Sequence, residues 1–112
     1  MTYAFIPDLA RRAAELAQAG PPTEHVAGRA LYTDDHVKVL AFPFEAGQSL
    51  AEHTSPHPAI IHVLEGEATI TLGDDTVEAR PGAWMHMDAR LRHSIHATTR
   101  FLMLLIVFRS ER

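Results

Sequence analysis

The chain has 112 residues, the length of one domain rather than two, and 46% of them are hydrophobic, enough to build a core. The formal net charge is -4 with both signs scattered along the chain. The sequence has no long basic block, which argues against a nucleic-acid or anionic-membrane partner. Cysteine is absent, which removes disulfides, thiolate nucleophiles, iron–sulfur clusters and cysteine-based zinc sites.

Residues 1–7 carry no positive charge ahead of their short apolar stretch, and Arg11 and Arg12 follow it, so the start does not read as a signal peptide. Asp8 is placed to cap a short helix. Leu9, Ala13, Leu16 and Ala17 give that helix one apolar face, and Gly20 with Pro21 and Pro22 stops it. The expected division is a helical extension over residues 1–22 and one β-domain over residues 23–112.

After Pro22 the pattern changes to short alternating runs separated by turn residues. Strands are expected over 26–32, 36–44, 49–53, 60–64, 68–72, 76–79, 83–87, 93–97 and 101–108. Turns fall at Thr33-Asp34-Asp35, Ala46-Gly47-Gln48, Gly73-Asp74-Asp75 and Pro81-Gly82, and a loop with two prolines at 54–58. Turn signals this frequent, with one helix only, indicate an all-β sandwich or closed barrel and exclude a βαβ sheet. The run 101–108 is apolar throughout, which suggests burial on both faces. It is too short to cross a bilayer as a helix. A soluble cytoplasmic protein is expected.

Residues 47–97 resemble the two motifs of the cupin superfamily. Gly47 is followed by five residues and His53, and the first motif closes on Gly66 within Val63-Leu64-Glu65-Gly66-Glu67, a phrase frequent in that family. In the second motif Gly82 and His93 fall in register. The resemblance implies a cupin-type double-stranded β-helix, a jelly-roll barrel, with one short N-terminal helix. It also implies a pocket inside the barrel. In metal-binding cupins the ligands are two histidines and an acid from the first motif and a histidine from the second. Those positions hold His53, Ser55, Ala59 and His93 here. Asp88, Arg90 and Ala97 replace the usual proline, glycine and asparagine of the second motif.

Six of the eight histidines lie between His53 and His96. Abundance alone makes no metal site, because ligands must converge. His57 is the candidate third ligand beside His53 and His93. In a strand, residues 53, 55, 57 and 59 would share a face, although Pro56 and Pro58 interrupt it. His62 and His96 have the opposite parity and are expected to face away. His86 shares a face with Trp84, and Met85 shares the other with Met87; either face could line the pocket, so His86 and Trp84 are candidate wall residues. His25 and His36 lie near strand ends. Several buried neutral imidazoles need a metal, water or a ligand to satisfy them.

Two functions remain open. One is a transition-metal cupin holding Zn, Fe, Ni or Cu and acting on or binding a small organic molecule, in the manner of a dioxygenase or isomerase. The other is a non-catalytic binding or sensing protein that has lost the metal. No catalytic residue can be assigned, and no nucleotide-binding loop is present. A homodimer is expected, because the 101–108 strand and the Leu9–Leu16 helix face offer much apolar surface.

Overall fold

The computed structural model describes residues 2–18 and 26–109. Gly20, Pro21, Pro22 and His25 lie outside the described residues. One helix, α1 (Leu9–Gln18), precedes nine strands: β1 (Arg29–Thr33), β2 (Val37–Phe44), β3 (Ser49–His53), β4 (Ala59–Glu65), β5 (Ala68–Leu72), β6 (Asp75–Ala79), β7 (Trp84–Met87), β8 (His93–Ala97) and β9 (Phe101–Phe108). They form two antiparallel sheets, one of order β1-β2-β9-β4-β7 and one of order β3-β8-β5-β6. This is the jelly-roll arrangement. No helix among the described residues is long and apolar enough to cross a membrane.

The alternation of side chains along β4 decides what faces inward. Ala59, Ile61 and Val63 are buried, while Ile60, His62 and Leu64 between them are half-buried on the outside. Inside, these residues meet Ile70, Ile95 and Met103 in the main core. Phe44 and Phe101 pack edge to face there, with ring centroids 5.4 Å apart. The helix lies against the outside of the larger sheet. Its buried Ala13 sits in a second cluster with Ala41, Leu102 and Leu104. Asp8 starts the helix by accepting the Arg11 N–H on Oδ1 at 3.0 Å.

The strand β9 runs through the middle of the larger sheet, between β2 and β4. Its first four residues are buried on both faces, inside by the core and outside by α1. The first strand is shorter than the sequence suggested. Its pairing with β2 begins only at Arg29, opposite Ala41, so residues 26–28 lie outside the ladder. Between β4 and β5, Gly66 has φ +80°, and a Cβ there would run into the carbonyl oxygen of Arg100. That close approach of two backbones is why the motif closes on glycine.

Candidate functional site

The strands β3 and β8 are neighbours, and their register sets His53 directly opposite His93. The two ring centroids are 4.2 Å apart. His93 is buried at 7% exposure, while His53 is exposed at the rim. Both rings are held the same way. The Nδ1–H of His53 donates to the carbonyl of Ala51 at 2.8 Å, and that of His93 donates to the carbonyl of Leu91 at 2.9 Å. A carbonyl only accepts, so the hydrogen sits on Nδ1. In each neutral ring Nε2 therefore keeps its lone pair.

The pair borders a cavity of about 50 Å³. His53, Ser55, His57 and Ala59 all line it, so the shared parity of these four persists through the proline-containing loop. The opposite wall is Met87, Asp88, Leu91 and His93, and Leu105 and Val107 complete the lining. The loops that carry these walls are tied together, because the Arg90 N–H donates to the Ser55 carbonyl at 2.7 Å. Burial lowers the pKa of His93 below the ordinary histidine value of 6.5. Its hydrogen bond to Leu91 opposes this shift, and the nearby His53 adds to it.

Trp84 and His86 are not part of this wall. Along β7 the inward positions are Met85 and Met87, which pack on the core, and Trp84 and His86 point out of the barrel. Trp84 is 58% exposed, and the His86 ring stands 3.9 Å from the Asp88 carboxylate. The sequence could not choose between the two faces of β7. Pairing does so: buried Ala59 lies opposite Met87, and outward His62 lies opposite Trp84. His96 is also outside and bonds the Ser49 hydroxyl at 2.6 Å. His36 lies in the turn before β2, where its N–H donates to Asp34.

A transition-metal ion needs about three protein ligands converging on one point. Among the described residues no group of three histidine, aspartate or glutamate side chains is assembled for this. Ser55 and Ala59 bring neither an imidazole nor a carboxylate. Two imidazoles are together, His57 lines the same cavity, and as folded the donor set falls short of a complete site. Leu91, Leu105 and Val107 were not singled out from the sequence, and Asp88 was noted only as a departure from the second motif, not as a cavity residue.

A model of the cupin domain family matches residues 42–108. No curated protein matches the sequence. Among solved structures, a cupin superfamily protein from Desulfitobacterium hafniense is 29% identical, with 85% of this chain and 88% of that one covered and a TM-score of 0.74. A conserved protein of unknown function from Streptococcus pyogenes is 26% identical over 100% of this chain and 93% of its own, with a TM-score of 0.75. A protein from Bacillus halodurans shares the fold at 16% identity, 98% and 84% coverage and a TM-score of 0.81.

Proposed function

Since the chain belongs to the cupin domain family, we propose that it is a small-molecule-binding cupin whose His53–His93 pair receives the polar head of a small organic ligand. One observation carries this reading: two adjacent imidazoles have their Nδ1–H groups tied to backbone carbonyls, which leaves two Nε2 acceptors beside one cavity. Such a pair favours a ligand that donates hydrogen bonds, such as a hydroxyl or enol. The same nitrogens are placed to take up a proton, the part of an isomerase-like reaction that this chain supplies unaided. The assembly proposed is a homodimer formed through the outer face of the larger sheet.

A second reading is a transition-metal site of His53, His93 and His57. What favours it is that three imidazoles line one cavity, a donor type suited to Zn, Fe, Ni or Cu. The two readings separate in one experiment: metal analysis of untagged protein purified without nickel, with melting curves before and after chelation. The binding reading expects no stoichiometric metal and an unmoved curve. Stoichiometric metal would overturn it, together with a melting temperature that drops several degrees on chelation and does not do so in His53→Ala. A bound ion at a hundredfold excess over its Kd stabilises the fold by about 2.7 kcal/mol.

A further inference from the structure

The cavity at the histidine pair is too small for a whole ligand. Small-molecule sites usually enclose roughly 300–1,000 Å³, and this one holds about 50 Å³. It has room for a head group. The body of the ligand must lie elsewhere.

A second hollow of about 610 Å³ adjoins it, lined by Ala30, Thr33, Lys38, Leu40, His57, Val107 and Arg109. His57 and Val107 line both hollows, so the two are next to each other. Strand register places their linings on one face of the sheet. Thr33 pairs with Lys38, Lys38 with Val107, Val107 with Ala59, and Ala59 with Met87. These five residues form one transverse row on the inner face of the sheet. Val107, Ala59 and Met87 line the histidine cavity, and Lys38 stands two strands from Ala59, about 10 Å away along the row. Lys38 is the one charged residue in this row, and it is exposed, so its ammonium is open to solvent and to a ligand in the hollow.

Among the described residues Lys38 has no acidic partner. Arg109 follows β9. Its backbone N–H donates to the His36 carbonyl, and one guanidinium N–H donates to the Asp34 carbonyl at 2.8 Å, which holds the side chain at the hollow. The Asp34 carboxylate nearby is occupied: it accepts from the Tyr32 hydroxyl and from the N–H groups of His36 and Val37. At the other end the histidine cavity carries Asp88 on its rim, but that carboxylate is exposed and stands 3.9 Å from the outward His86. The two hollows therefore hold imidazoles at one end and two cations at the other.

We propose that the ligand is a small organic acid, with its hydroxyl or enol end at His53 and His93 and its carboxylate at Lys38 and Arg109. This rests on the histidine pocket being the binding site, as proposed above. Between the two ends the ligand would pass His57 and Val107, which line both hollows.

The test uses 4-hydroxybenzoate and 6-hydroxyhexanoate, each against its neutral primary amide, at pH 8 and low salt. Binding is followed by NMR shifts of the histidine rings and of the lysine side chain. The acids are expected to bind about tenfold more tightly than the amides, to shift Lys38 as well as His53 and His93, and to weaken as salt rises. Lys38→Gln should bring acid and amide to nearly equal affinity, and Arg109→Gln should reduce the preference in part. Lys38 lies at an exposed position, so the variant should fold, which its melting curve checks. Equal affinity of acid and amide at the histidines in the unaltered protein would overturn the acid preference and leave the histidine pocket standing. Absence of any shift at His53 and His93 with all four compounds would overturn the pocket reading and this inference together.

Discussion

Arg90 sits in the left-handed region with φ 68°, where a residue with a Cβ is strained. It stands where the second cupin motif carries glycine, so the fold has kept the turn although the sequence has changed the residue. What holds it is the hydrogen bond from its N–H to Ser55, which closes the cavity rim. Left-handed backbone costs a non-glycine residue about 1–2 kcal/mol, and the greater unfolded freedom of glycine takes back about 0.5–1. Arg90→Gly is therefore expected to raise stability by about 0–1.5 kcal/mol, read as a higher urea midpoint with an unchanged slope. A lower midpoint would mean that the arginine side chain has a structural role. His93 contributes to the pH dependence of stability. Burial, its leading cause, lowers the folded-state pKa below 6.5, so the unfolded chain takes up the proton more readily. Stability from this residue is complete above about pH 6.5 and is lost as pH falls through the lowered pKa. Urea midpoints from pH 8 to pH 5 should fall less steeply in His93→Gln. An identical fall in both proteins would assign the effect elsewhere.

At the scale of elements, turn residues and alternation made most strands readable. The runs expected at 68–72, 93–97 and 101–108 coincide with β5, β8 and β9, because each is bounded by turns and buries one or both faces. The pocket side of β3 and the following loop was also legible, since residues two apart share a face even where prolines interrupt the ladder. The face of β7 was not legible. Trp84 and Met87 are both large and apolar, and only pairing with β4 shows which of them the core receives. Lys38 carries no motif, and its relation to the histidines exists only across three strands of register. The helix gives a test of how its apolar face is used. Ala13 is fully buried in one cluster with Ala41, Leu102 and Leu104. Ala13→Leu should cost about 1–3 kcal/mol by overpacking and lift α1 from the sheet. Denaturation with helix circular dichroism as the probe would show this. A variant as stable as the parent would place the helix in loose contact only.

At the scale of the whole molecule, the outer face of the larger sheet is half covered. The helix covers Ala41, Leu102 and Leu104, and beyond it the row Tyr32, Val39, Ile106, Ile60, His86 crosses all five strands with no lysine, arginine or carboxylate. Trp84 and Phe108 flank that row and are 58% and 39% exposed. The N-terminal arm adds Tyr3 and Phe5, both exposed, beside a groove of about 690 Å³ that reaches Tyr32 and Val39. A mainly aromatic and aliphatic surface of this kind, with Asp34 the one acid at the groove, suits a second copy of the same chain, because a two-fold interface brings one patch against itself. A stable dimer needs about 800 Å² from each partner. Five strands span roughly 19 Å across the sheet, and two exposed rows of that width fall short of the area. The arm is therefore expected to cross to the partner and supply the remainder. Sedimentation should give a dimer for the intact chain. Trp84→Glu should give a folded monomer, by placing a charge at the interface. Removing residues 2–6 should weaken association by an order of magnitude or more without unfolding the barrel, since that segment lies outside both core clusters. A monomer mass for the intact chain across a wide concentration range would rule out this interface. A dimer that withstands Trp84→Glu would move it to another face.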